Sequence, residues 1–218
     1  MNAEPAASVA LHLRDVRIAL PRRELIRSLS IDIAPGEIVT VMGTSGSGKS
    51  SLLSFIGGHL HAPFTADGEV SIGERRLNGL APHERRAGIL FQDDLLFPHL
   101  SVGGNLLFGL PAAVVGRRER CRAIDQALEE CGLPGYGRRD PSTLSGGQRA
   151  RVALMRTLLA APRILLLDEP FGKLDAALRD DFRRLVFSHA VQRGLPTLLV
   201  THDAADAQAA AGRVLTLE

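Results

Sequence analysis

Lysine is nearly missing from this chain. All but two of its 26 basic residues are arginine, and the two lysines stand at positions 49 and 173. A sequence that uses arginine almost everywhere yet keeps Lys49 points to chemistry there that takes a compact ammonium rather than a planar guanidinium fork. Long apolar runs are missing too. No stretch approaches the roughly 18 apolar residues of a membrane-spanning helix, so the chain is not expected to cross a membrane itself. The N-terminal MNAEPAASVA has no basic segment with an apolar one behind it, and no signal peptide is expected. There are only two cysteines, Cys121 and Cys131, in one helix-like stretch. At about 1.5 Å of rise per residue they would stand roughly 15 Å apart, too far to bridge, and they read as reduced thiols of a cytosolic protein. Neither sign of charge is in strong excess. With 26 basic residues against 24 acidic ones, a net +2 and no clustered basic face, nucleic acid is not an expected partner. The Arg-Arg pairs at 22–23, 75–76, 85–86, 117–118 and 138–139 read as solvated surface.

What is present suits one domain of 218 residues with a sizeable core, since 45% of the chain is hydrophobic. Strand-like runs occur at VALHL (9–13), VRIAL (16–20), LSIDI (29–33), EIVTVM (37–42), EVSIG (69–73) and AGILF (87–91). Residues 95–160 or so are helix-like. Strand signals resume at RILLLD (163–168), TLLVTH (197–202) and RVLTL (213–217), with a helix around 175–192 between the first two. The expectation is an α/β fold with a mostly parallel sheet, an N-terminal antiparallel β part and an inserted helical subdomain. Residues 1–94 and 161–218 would form the core, and about 95–160 the insert.

GTSGSGKS, residues 43–50, fits G-x-x-x-x-G-K-[ST] and stands between a strand and a helix, where a phosphate-binding loop must stand. Gly43, Thr44, Ser45, Gly46, Ser47 and Gly48 would wrap phosphates with backbone N–H groups. Lys49 would reach the outer phosphates and Ser50 would ligate Mg²⁺, with Ser51 following. ILLLDEP, residues 164–170, has no polar alternation until two acids, as a strand buried on both faces does. Its carboxyl end is where open α/β sheets bind ligands. Asp168 would hold magnesium through water, and Glu169 would polarise an attacking water. His202 and Gln92 stand at further strand ends. His59 and His61 have no further ligands nearby, and no metal is expected there.

LSGGQR, residues 144–149, opens a helix in an unusual way. Val152, Met155, Leu158 and Leu159 space one buried stripe, and Ser145 with Gln148 has the form of a capping box. Yet two glycines fill the first turn, each costing about 1 kcal/mol of helix propensity against alanine.

These motifs in this order resemble the nucleotide-binding subunit of ATP-binding-cassette (ABC) transporters over essentially the whole chain, a P-loop NTPase of RecA-like core. The resemblance implies ATP and Mg²⁺ as ligands, with Gln92 as the Q-loop glutamine (near the metal with Ser50 and Asp168), Glu169 as the catalytic glutamate, Asp175 as the D-loop aspartate and His202 as the switch histidine. It also implies a head-to-tail homodimer in which Ser145, Gly146, Gly147 and Gln148 of one copy meet the ATP on the other's phosphate loop. Integral membrane permease subunits would hold it at the cytoplasmic face of the inner membrane, and an external solute-binding protein would join if the system is an importer. FQDDLLFPHLSV, residues 91–102, looks most like importers of small polar solutes. An ATPase serving an exporter, lipoprotein release or cell division is the rival, with a soluble non-transport ABC ATPase behind it. The chain departs from the family in three places. Residues 1–42 contain no Phe, Tyr or Trp to stack on the base, leaving Arg22 or Arg23 to stack or nothing. GKLD places Lys173 where a small residue is usual, and Ser51 replaces the usual Thr.

Overall fold

The structure is a computed structural model describing residues 9–217. The first eight residues, on which the reading of the N-terminus rests, lie outside the described part. Two compact units are present. Of the described residues, the first comprises 9–89, 163–169 and 187–217; the second comprises 90–162 and 170–186.

In the first unit, strands β1 (Leu11–Leu20) and β2 (Arg23–Ile33) pair antiparallel, and β4 (Thr65–Ile72) and the two-residue β5 (Arg75–Arg76) complete a sheet of order β2-β1-β4-β5. The runs VALHL and VRIAL become one strand. Asp15 between them takes a left-handed φ of 47°, and the pairing with β2 shifts register there instead of ending. A second sheet holds β3 (Ile38–Gly43), β6 (Ala87–Leu90), β7 (Ile164–Asp168), β8 (Thr197–Val200) and β9 (Val214–Leu217) in the order β6-β7-β8-β3-β9. The β7–β8, β8–β3 and β3–β9 pairs are parallel. Ile164, Leu165, Leu166 and Leu167 are all fully buried, so β7 is covered on both faces, as its unbroken apolar run requires. The core joins side chains of both sheets, Leu13 and Val70 with Val39, Leu166 and Val200, to Leu52 and Ile56 of helix α1 (Lys49–Gly57).

One surface expectation fails here. Arg85 is buried rather than solvated. Its guanidinium donates to the carbonyls of Phe55 (2.8 Å) and Ile56 (3.0 Å) in the last turn of α1, and Nε donates to Leu80 O at 3.0 Å. The end of α1 leaves carbonyls without helical partners, and a planar cation satisfies them while complementing the helix dipole. Burial lowers the Arg85 pKa from its ordinary value.

The second unit contains α2 (Val102–Gly109), α3 (Arg117–Glu130), α4 (Gly146–Leu159) and the first part of α5 (Ala176–Gln192). The buried face of α4 is wider than one stripe. Ala153 and Leu154 are buried beside Val152, Met155 and Leu158, while Leu159 is half-exposed. A helix with a broad buried face places core residues outside any single i, i+3, i+4 stripe. Asn105, fully buried on α2, donates to Phe97 O and Ser101 O (both 3.1 Å) and accepts from Phe97 N (2.8 Å), pinning the segment that leads into the helix. Cys121 is exposed on α3. Cys131, just past its end, is buried, and neither is in a disulfide. Among the described residues no helix is long and apolar enough to cross a membrane. Helix α6 (Ala204–Ala210), in the first unit, follows β8.

Candidate functional site

Strand register sets the site in the first unit. Val200 of β8 pairs with Val41 of β3 on one side and Asp168 of β7 on the other, so the carboxyl ends of three neighbouring parallel strands are level. That edge is where open α/β sheets bind ligands. The loop after β3 turns sharply into α1, with Gly46 at φ 79° and Gly48 at φ 95°, a region that side chains other than glycine rarely enter. A Cβ on Gly43 would stand 2.7 Å from both Leu217 O and Ser47 Oγ, so only glycine fits. Lys49 is buried, and its Nζ donates to the carbonyls of Gly43 (2.8 Å) and Thr44 (2.9 Å), using two of the ammonium's three protons to shape the loop. Ser47 Oγ is buried without a hydrogen-bond partner among the described residues. Such an orphan costs about 1–3 kcal/mol unless a ligand satisfies it.

Ser50 Oγ donates to Asp168 Oδ1 at 2.9 Å, joining the first turn of α1 to the end of β7. Burial raises the Asp168 pKa above its ordinary value, and the neighbouring Glu169 charge adds to this against the Ser50 hydrogen bond. Glu169 follows with a left-handed φ of 46°, its N–H held by Val200 O at 2.9 Å. Its Oε2 lies 3.1 Å from Nδ1 of His202. Hydroxyl and carboxylate oxygens in this arrangement are the donor set Mg²⁺ prefers, and the glycine cradle with its orphaned hydroxyl fits phosphate.

Sequence reasoning missed two residues behind His202. Thr201 Oγ1 donates to the buried carboxylate of Asp206 at 2.6 Å and accepts from Asp203 N at 3.0 Å, fixing the turn that presents the histidine. The signal was THDAADA, where Asp203 also caps α6 by accepting from Ala205 N at 2.8 Å. A cavity of about 310 Å³ opens on Gly46, Lys49, Ser50 and Glu169, and Arg23 and Phe64 also form its wall. Arg23 was anticipated there. Phe64 was not.

In the second unit, Ser145 caps α4 as expected. Its N–H donates to Gln148 Oε1 (3.0 Å), and Gln148 N donates back to Ser145 Oγ (3.3 Å). The two glycines differ in their surroundings. A Cβ on Gly147 would meet Leu178 Cδ1 at 3.2 Å, whereas one on Gly146 would meet nothing nearer than 3.8 Å. Gly147 therefore serves packing against α5, and Gly146 stands open beside the exposed Ser145. Asp175 accepts from Leu178 N at 3.0 Å and so caps α5. Lys173 pairs with Asp93 of the same chain. Gln92 is exposed in the loop after β6. That loop is tied to α4 by arginines the sequence reading did not single out. Arg149 Nε donates to Asp94 Oδ2 at 3.1 Å, and Arg156 donates to Leu95 O (2.7 Å) and Asp94 O (3.1 Å). Burial raises the Asp94 pKa despite Arg149 beside it.

The ABC transporter family profile matches residues 26–172. The chain is 49% identical over 199 residues to an uncharacterized ABC transporter ATP-binding protein, YnjD, of Escherichia coli K12, covering 91% of each chain. It is 40% identical to the Fe(3+) ions import ATP-binding protein FbpC of Streptomyces avermitilis, over 95% of this chain and 59% of that protein. It is 39% identical to the maltose/maltodextrin import protein MalK of Salmonella typhimurium, over 96% of this chain and 56% of that one. The fold matches the dimeric structure of a bacterial ABC transporter cassette with a TM-score of 0.76 at 31% identity, covering 95% of this chain and 94% of that one. The chain belongs to the ABC transporter family, as one of its ATP-binding, ATP-hydrolysing proteins.

Proposed function

We propose that this chain is the ATPase subunit of a bacterial small-solute importer, working as a head-to-tail pair at the cytoplasmic face of the membrane. The observation that carries the catalytic half is the chain of contacts along the level strand ends: Ser50 to Asp168 at 2.9 Å, then Glu169 to His202 at 3.1 Å. Lys49 and the loop N–H groups bind the phosphates. Ser50 and Asp168 would hold Mg²⁺, which when bound neutralises charge on the outer phosphates. Glu169 accepts a proton from the attacking water, and His202 orients that carboxylate from the neighbouring strand end. Gln92 keeps the metal-reporting role the resemblance gives it.

The signature half rests on the exposed Ser145 and the half-buried Gly146 at the start of α4, where a helix N-terminus favours an anion. A second copy of the chain supplies this helix end to the bound ATP, and closure of the pair on two nucleotides is reversed by hydrolysis. The dimeric form of the related cassette and the import roles of two relatives, FbpC and MalK, support the reading. An apolar contact for membrane permease subunits is supported by Phe108 (70% exposed) and Leu95 (57% exposed) in the second unit.

The dimer is tested by turnover at rising chain concentration, which should climb more steeply than in proportion. Strict proportionality down to the lowest concentration would reject the pair. Co-purification with an integral membrane subunit tests the transporter assignment, and a chain that never associates with one would reject it.

A further inference from the structure

The phosphate loop accounts for one end of a nucleotide and leaves the base without a partner. The sheet of β1, β2 and β4 supplies one from an unexpected side. Leu20 pairs with Arg23 across the β1–β2 turn, and Ala19 pairs with Thr65 of β4. Phe64, immediately before Thr65, is therefore brought beside Leu20 at the same end of the sheet. Its N–H donates to His61 O at 3.1 Å, which fixes the turn that delivers the ring. Leu20, Arg23 and Phe64 share the wall of the 310 Å³ cavity with Gly46, Lys49 and Ser50. Arg23 stands in that wall nearer the phosphate loop. Its Nη1 lies 4.0 Å from where a Cβ on Gly46 would stand, so its charge lies over the phosphate loop. Phe64 is the aromatic face left for the base.

We propose that Phe64 is the stacking platform for the purine base of the bound nucleotide, with Leu20 packing beside it and Arg23 serving the phosphates. The inference rests on reading residues 43–50 as the phosphate loop, and its test separates the two. Stacking depends on ring area, so purines bind better than pyrimidines. Phe64 and Leu20 carry no side-chain hydrogen-bonding group, so they give no preference for adenine over guanine.

The test titrates the chain, with Mg²⁺, against ATP, GTP, CTP and inorganic tripolyphosphate. ATP and GTP should bind within a few-fold of each other and CTP more weakly. Phe64→Leu, which keeps apolar packing but removes the ring, should weaken ATP and GTP by about 5- to 150-fold, the usual worth of one base–aromatic stack, and leave tripolyphosphate unchanged. The chain has no tryptophan, so Phe64→Trp creates a single reporter whose fluorescence should be quenched by ATP and GTP but not by tripolyphosphate. ATP affinity unaltered in Phe64→Leu, equal losses of ATP and tripolyphosphate, or an unresponsive tryptophan would overturn the platform. If the phosphate-loop reading itself fails, the unsubstituted chain will not bind tripolyphosphate; failure of the platform alone leaves that binding intact.

Discussion

Nδ1 of His202 stands 3.1 Å from Oε2 of Glu169, on neighbouring strand ends held in register by the hydrogen bond from Glu169 N to Val200 O. The backbone at Glu169 is in the left-handed region, a conformation that costs about 1–3 kcal/mol in a residue other than glycine and that recurs where side-chain aim matters. Glu169→Gln keeps the shape and removes the base. ATP binding is expected to persist while turnover falls by about 10²–10⁴, and dimers should accumulate with ATP in size-exclusion runs. Only monomers at saturating nucleotide would contradict the account.

Ser145 closes its capping box with hydrogen bonds of 3.0 and 3.3 Å while its side chain faces solvent. Ser145→Ala should therefore lower stability by about 0.5–2 kcal/mol in denaturant melts, as loss of an N-cap does. Ser145→Arg should abolish hydrolysis while each chain still binds one nucleotide. Full turnover in the arginine variant would remove the signature from the mechanism.

Burial holds the Asp168 carboxyl above the ordinary carboxylate range, so the folded chain binds that proton more tightly than the unfolded one. Its contribution is then neutral in acid and becomes destabilising as pH rises through the raised value. Asp168→Asn should raise the melting temperature of the nucleotide-free chain at about pH 7, and the gain should shrink toward about pH 4. The same substitution should remove Mg²⁺-dependent hydrolysis. A variant that melts lower at neutral pH with its activity intact would overturn both roles.

Cys121 is exposed, while Cys131 is buried with its thiol pushed up to about 11. Alkylation of the native chain near pH 8 followed by peptide mapping should label Cys121 and spare Cys131, because only the thiolate reacts. Equal labelling would mean that the end of α3 opens readily.

Local signals made most of this architecture legible before any coordinates. The phosphate loop, the strand ending in Asp168 and the capping box at Ser145 are each contained in a few consecutive residues. What escaped depends on partners distant in sequence. Arg85 looks like surface charge until α1 is seen to end against it. Lys173 could not be given a partner until Asp93 stood beside it. Phe64 follows the phosphate-loop helix, and only the antiparallel pairing of β1 with β4 carries it to Leu20. Absence of Phe, Tyr and Trp from residues 1–42 therefore did not mean absence of such a ring at the cavity. Leu154 was missed because helix periodicity registers one buried face, and α4 is covered more widely.

The central claim is that each ATP is hydrolysed by two copies of the chain, one giving the phosphate loop and the other the start of α4. Mixing two dead variants tests it most directly. Lys49→Ala lacks a working phosphate loop, Ser145→Arg lacks a working signature, and each alone should be inactive. A mixed pair contains one complete site, so the mixture should recover up to about a quarter of the unsubstituted activity when copies pair at random. A mixture that stays as inactive as its components, at concentrations where the unsubstituted chain turns over, would contradict the shared site.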